Sequence, residues 1–256
     1  MRLGFVGTGA ITEAIVSGLL GSDLTLGSIL VSPRNADVAA RLAAASPLVA
    51  IAANNQDVVD GSDMVFLAIR PQVAEGVVRE LRFRPDQHIV SLIAATDHRA
   101  LSEWIGADLR LTRAIPLPFV AERTGVTALY PADAAVSALF NALGSAIEAN
   151  SEEEYQLLGA ASALMGTYFG ILEISTRWLE AKGMPYPQAK TYLAPLFASL
   201  AQTAARPDAP DFATLRSEFS TKGGLNEQVF VDFAGKGGAT ALTEALDGVL
   251  ARIQGR

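Results

Sequence analysis

The chain of 256 residues is half hydrophobic and 18% charged, a balance that buries a substantial core and excludes disorder. Its formal net charge of −7 argues against a nucleic-acid partner, whose phosphates call for a basic face, yet leaves room for a single anion site. With no Cys and only His88 and His98, disulfides, thiol nucleophiles and a His-rich metal centre are excluded, and no metal is expected.

In chain order, Leu3 to Val6 reads as a short apolar strand ending at Gly7. The run Ile11 to Leu20 carries apolar residues at helical spacing. Strands are expected at Ser28–Val31, around Val49–Ala52, at Met64–Ala68, His88–Ile93 and Leu109–Ile115. Helices are expected at Asn35–Ala45, from Asp57, at Gln72–Leu81 and at Asp97–Ile105. Val126–Tyr130, a helix after Pro131 and Ser145–Ala149 continue the alternation. This rhythm specifies an α/β fold, a Rossmann-type doubly wound and mostly parallel sheet, over residues 1–150.

After Asn150 no strand pattern returns, so residues 151–256 are expected to form an all-helical domain with helices near 151–182, 186–205, 224–234 and 238–254. Ser151-Glu-Glu-Glu154 has the form of a capping box at its start. The middle of the first helix, Leu157 to Leu172, is apolar on every face. A helix of that kind must be enclosed. About 100 residues have difficulty enclosing it, so a second subunit, in a homodimer through the C-terminal helices, is expected to cover it. The uncharged run Leu157 to Leu172 is shorter than the roughly 18–20 residues of a membrane span, and Gly7 interrupts the N-terminal apolar run too early for a signal peptide. The expectation is a cytoplasmic protein without a membrane partner.

Gly7-Thr8-Gly9-Ala10-Ile11-Thr12 lies between the first strand and the first helix. Gly7 permits the tight turn, and Gly9 lets a pyrophosphate approach the backbone at the helix N-terminus; Thr12 replaces the third glycine of the dinucleotide fingerprint. Any tight strand–helix turn would use the same glycines, but the position in the first βαβ unit favours a cofactor. NAD-preferring folds place Asp or Glu at the end of the second strand. Here the strand ends Val31-Ser32-Pro33-Arg34-Asn35, and a hydroxyl and a guanidinium suit a 2′-phosphate instead. NADP(H) is therefore the expected cofactor.

These residues resemble the pyrroline-5-carboxylate reductases, which reduce a cyclic imine acid to proline. The likeness runs over most of the chain. It rests on Gly4-Phe-Val-Gly-Thr-Gly-Ala-Ile, Ser32-Pro33-Arg34, Asn55 placed eight residues before Asp63, Leu67-Ala68-Ile69-Arg70-Pro71 and Ser91-Leu92-Ile93-Ala94-Ala95-Thr96. The resemblance implies that Asn55, Ala68 and Arg70-Pro71 line the nicotinamide and ribose side of the cofactor, and Ala94 is placed with them. It also implies a helical C-terminal domain that forms an intertwined dimer.

The sequence departs from the family where substrate should bind. The family's Arg-x-Met-Pro-Asn-x-Pro appears as Arg113-Ala-Ile-Pro116-Leu117-Pro118, without the Asn. Its Gly-Ser-Gly-Pro-Ala-Tyr appears as Ala163-Leu164-Met165-Gly166-Thr167-Tyr168. Its Ser-Pro-Gly-Gly-x-Thr turn, which binds the substrate carboxylate, reads Ser220-Thr221-Lys222-Gly223-Gly224-Leu225-Asn226. Gly223 and Gly224 open a helix whose amides suit an anion, with Thr221 and Lys222 beside them. Asn226 offers an amide to an imine nitrogen or carbonyl oxygen. Asn226 and Thr221 are the expected polar partners of the reaction and Tyr168 a weaker acid candidate; Glu227 is either a substrate contact or a first-turn carboxylate. His88 and His98 are expected to be structural.

The reading is an NADP(H)-dependent reductase of a small carboxylated cyclic imine. A dinucleotide-binding regulator without turnover would show the same altered substrate segments. A β-hydroxyacid dehydrogenase shares the layout, but it uses a Lys on the interdomain helix and none lies between Ser151 and Ala181.

Overall fold

The computed structural model describes residues 1–256. Strands β1 (Arg2–Val6), β2 (Ser28–Val31), β3 (Val49–Ile51), β4 (Met64–Leu67), β5 (His88–Ser91), β6 (Arg110–Pro116), β7 (Gly125–Tyr130) and β8 (Gly144–Glu148) form one sheet, in the order β3-β2-β1-β4-β5-β6-β7-β8. Helices α1 (Ala10–Leu20), α2 (Ala36–Ala45), α3 (Asn55–Asp60), α4 (Pro71–Arg79), α5 (His98–Ile105) and α6 (Ala134–Asn141) alternate with the strands. All neighbours are parallel except β6 and β7, which the 3-10 turn Pro118–Glu122 connects as an antiparallel pair.

The period-2 geometry of the strands divides the core between two faces. Leu3 and Phe5 of β1 join Met64 and Phe66 of β4 in one cluster, while Val6, Val65 and Leu67 belong to the other. In the first cluster the rings of Phe5 and Phe66 stack at 4.6 Å, and Phe140 of α6 meets Phe66 edge-on at 6.4 Å. Burial of both faces explains why these strands read as continuous apolar runs.

The chain divides into two compact units, residues 1–159 with 250–256, and residues 160–249. The last residues are tied to the first unit by Gln254, whose Nε2 donates to Oε1 of Gln156 at 3.1 Å. The remaining helices are α7 (Glu152–Ser162), α8 (Leu164–Ala181), α9 (Tyr186–Ala204), α10 (Phe212–Glu218), α11 (Leu225–Gly235) and α12 (Gly238–Ile253).

Ser151 opens α7 by accepting from the Glu154 amide at 3.2 Å, and the Glu154 carboxylate takes the backbone N–H of Asn150. The reciprocal bond of a capping box thus falls one residue earlier than the pattern predicts. The long helix expected over 151–182 is interrupted by a single turn residue at Ala163. From Glu152 to Ala181 it is long and apolar enough by length and composition to cross a membrane, its most apolar 18-residue window having a mean hydropathy of 1.5. This exceeds the estimate from the uncharged run alone, because the charged residues at both ends do not interrupt the helix. Little of it is buried within the chain: Ile174 and Trp178 are 71% and 60% exposed.

One charged cluster sits at the start of β5 and β6. The buried His88 ring places Nε2 at 3.1 Å from the Thr112 hydroxyl and Nδ1 at 3.7 Å from Asp133. Asp133 caps α6 through the amides of Ala135 and Val136 and takes Nη2 of Arg110 at 2.5 Å. Burial holds His88 below its ordinary pKa against the pull of Asp133, with Arg110 acting in the same direction as burial. The folded protein therefore resists a proton that the unfolded chain accepts. Stability is full above the ordinary His value of about 6.5 and falls below it, by at most about 1.4 kcal/mol per pH unit. Urea midpoints of the wild type should drop between neutral pH and pH 5.5, and H88Q should flatten that slope; an unchanged slope would free His88 of the role.

Candidate functional site

A cleft of about 460 Å³ lies at the C-terminal end of β1, lined by the Gly7–Gly9 turn, Ser32, Arg34, Asn55, Ala68 and Arg70. The ends of β1, β2 and β4 bring these separate segments together, since the three strands are neighbours with β1 in the centre. Gly7 has φ +101, and a Cβ there would stand 2.2 Å from the Ala68 carbonyl oxygen. Its amide donates to the Ser32 hydroxyl at 2.9 Å, and its carbonyl accepts from the Thr12 hydroxyl at 2.6 Å. Thr12, in the place of the third glycine, thus stitches the first turn of α1 to the loop.

Gly9 differs from Gly7. It is the N-cap of α1, has no side-chain cap, and a Cβ there would meet nothing within 4 Å. The first amides of α1, at Ala10 and Ile11, follow directly. Open space before an uncapped helix start is the shape a pyrophosphate requires, so the residues fit a dinucleotide.

Ser32 does not act as the sequence predicts. It is fully buried; its oxygen accepts from Gly7 and lies 3.0 Å from the Thr8 hydroxyl, which donates to the Ser32 carbonyl at 2.6 Å. The hydroxyl expected at a 2′-phosphate is engaged in holding the glycine turn, as is that of Thr8. Arg34 remains as the cationic group at this end, exposed and without a partner. Asn55 is the first residue of α3, capped by Asn54, which accepts from the Asp57 amide at 2.9 Å. Arg70 is the unpartnered N-cap of α4 and Pro71 its first residue. Ala10, Ile11, Pro71 and Ala94 do not line the cleft.

The cleft also has residues that the sequence reading missed: Val6, Asn35, Ala36, Asp37, Ile69 and Val77. Asn35, Ala36 and Asp37 are the start of α2, directly after Arg34. A helix start following the second strand was the available signal.

Past β5, Ala95 occupies the left-handed region at φ 50. A β-carbon in that region costs about 1 kcal/mol. A95G should therefore raise the thermal midpoint by about 2–3 °C, and a lower midpoint in calorimetry would show that the methyl group compensates for the strain.

In the middle of β6, Arg113 is buried, paired with Glu152 of α7 and stacked 4.5 Å from the ring centre of Tyr155. The Tyr155 phenol is pushed up by burial, with Glu152 adding to the shift and Arg113 opposing it. The phenol is therefore not available as an acid near neutral pH, and the cluster joins the sheet to α7.

In the second unit, the turn before α11 differs from expectation. The Gly223 amide is taken by the Glu227 carboxylate at 2.5 Å, and the Gly224 amide donates to the Thr221 carbonyl at 2.7 Å. The two glycine amides expected to hold an anion are thus satisfied within the chain, because Glu227 is a first-turn carboxylate. The first unpartnered amides are those of Leu225 and Asn226. Asn226 donates through Nδ2 to the Phe219 carbonyl at 2.7 Å, leaving one amide hydrogen and Oδ1 free. Thr221 and Lys222 are exposed. Tyr168 packs edge-on against Phe169 and Phe197, at 5.2 and 6.0 Å between ring centres, as part of an aromatic trio.

The profile of a family described as "NADP oxidoreductase coenzyme F420-dependent" matches residues 2–95. The pyrroline-5-carboxylate reductase of Pseudomonas aeruginosa is 26% identical over 257 aligned positions, covering 96% of this chain and 93% of that protein. The chain is thus similar over nearly its whole length to a pyrroline-5-carboxylate reductase, an oxidoreductase. The fold agrees across the whole length: the 1-pyrroline-5-carboxylate reductase of Streptococcus pyogenes superimposes with a TM-score of 0.87 at 22% identity, covering 100% of this chain and 99% of that one. The pyrroline carboxylate reductase of Plasmodium falciparum, solved with NADP bound, gives 0.83 at 14% identity, covering 100% and 97%.

Proposed function

We propose that the protein is an NADP(H)-dependent reductase of a small carboxylated cyclic imine, pyrroline-5-carboxylate or a close analogue, and that it works as a homodimer through its C-terminal helices. The observation that carries the reading is the cleft at the end of β1, where an open Gly9 begins an uncapped helix and an unpartnered Arg34 follows β2. Kinship over nearly the full chain with a reductase of that name supports the substrate class.

Bound NADPH would supply the hydride for the imine carbon, with a proton from solvent added at nitrogen, so that C=N becomes CH–NH. The first unit's part is to hold the dinucleotide through the Gly7–Gly9 turn and Arg34. The turn at 221–226 is assigned the substrate carboxylate, through the Thr221 hydroxyl, the Lys222 ammonium and the amides of Leu225 and Asn226. Asn226 directs its remaining amide hydrogen to the substrate nitrogen, and Tyr168 is assigned packing. The exposed apolar faces of α8 and α11, with Ile174 and Leu225 outermost, are assigned to a second copy of the chain.

NADPH oxidation followed with pyrroline-5-carboxylate, its six-membered homologue, an uncharged cyclic imine and straight-chain keto acids tests the reading. A carboxylated cyclic imine should be turned over best. NADPH binding with no oxidation by any of them would favour a regulator without turnover. N226A should lower kcat about 10- to 100-fold and leave NADPH affinity unchanged; a wild-type rate would remove Asn226 from the reaction.

A further inference from the structure

Asp37 lines the same cleft as Arg34. It lies in the first turn of α2, three residues after Arg34 and two after the cap Asn35, whose side chain accepts from the Val38 amide at 3.4 Å. Its carboxylate is exposed and has no hydrogen-bond or ion-pair partner in the chain; Arg34 does not pair with it. The cleft is therefore lined by a free guanidinium and a free carboxylate three residues apart in the chain. Their preferences are opposite. A dianionic 2′-phosphate is attracted by Arg34 and repelled by Asp37, whereas the 2′-hydroxyl of the unphosphorylated cofactor can donate to a carboxylate.

We propose that Asp37 is a second determinant of cofactor choice, opposed to Arg34, which narrows the cleft's preference for NADPH over NADH. This rests on the cofactor reading given above. A carboxylate in the first turn of a helix also complements the helix dipole. That role affects folding and is indifferent to the cofactor, so selectivity separates the two.

The test is calorimetric titration of the full-length protein with NADPH and with NADH, without substrate, for wild type, D37N and R34A. Wild type should bind both dinucleotides. D37N should bind NADPH about five-fold tighter and NADH about five-fold weaker, raising the ratio of affinities about 25-fold, while R34A shifts the ratio the other way. An unchanged ratio in D37N would overturn the role of Asp37 and leave that of Arg34 standing. If the wild type binds neither dinucleotide, the cofactor reading falls and this assignment with it. Far-UV circular dichroism of D37N, an exposed and nearly isosteric change, confirms the fold.

Discussion

Replacing Gly7 by Ala is expected to abolish dinucleotide binding and to destabilise the protein by about 3 kcal/mol or more. Two effects add. The β-carbon would stand 2.2 Å from a backbone oxygen of β4's extension, at Ala68, and φ is +101, where an L side chain is strained. The obstacle is main chain, so no rotamer change relieves it. G9A provides the contrast. The added methyl meets nothing within the protein, so folding should stay within about 1 kcal/mol of wild type. The same methyl stands where the pyrophosphate is to approach, so the affinity for NADPH and NADH should fall together by about 100-fold. Denaturant midpoints and calorimetric titrations read the two quantities separately. If G9A kept its affinity, the pyrophosphate would have to lie elsewhere.

Removal of the Arg34 guanidinium is expected to weaken NADPH by about 10- to 100-fold, the value of a charge-assisted bond to phosphate. NADH should change little. The expectation depends on Arg34 acting without help from Ser32, whose hydroxyl is buried under the glycine turn. S32A should accordingly behave as a loop variant: it deprives the Gly7 amide of its acceptor and affects both dinucleotides alike. Equal losses of NADPH and NADH in R34A would end the 2′-phosphate assignment.

The substrate side has a narrower chemical vocabulary than the sequence suggested. The turn before α11 retains Thr221, Lys222 and the amides of Leu225 and Asn226, but its two glycine amides are satisfied within the chain. An anion held there would meet amides two residues further along, with a neighbouring carboxylate at Glu227. On the proposed reading, this departure bears on which imine acid would bind.

Much of the fold was legible because each element carries its own local signal. The strand of β2, Ser28–Val31, and the helix of α9 follow from apolar runs and periodicity that need no partner to be recognised. The helix α10 at Phe212–Glu218 was missed: seven residues after a Pro- and Asp-containing stretch give too little periodicity, and its cap at Asp211 was the remaining clue. The antiparallel direction of β7 was not legible either. A strand pattern repeats every two residues in either direction, and what turns the chain round is the 3-10 turn between Pro118 and Glu122.

The sequence by itself determined a Rossmann-type sheet followed by helices, the glycine turn, the absence of a carboxylate between Val31 and Asn35 and a resemblance to the pyrroline-5-carboxylate reductases. Those properties reside in residue order and are carried by segments a few residues long. Tertiary structure decided which polar groups remain free. Ser32 and Thr8 turn inward because the Gly7 amide and the Ser32 carbonyl need partners, Glu227 closes on Gly223, and Asp37 enters the cleft beside Arg34 because α2 starts where β2 delivers the chain. A polar side chain's availability depends on which donors and acceptors the fold places within about 3 Å of it, and sequence alone does not fix that distance.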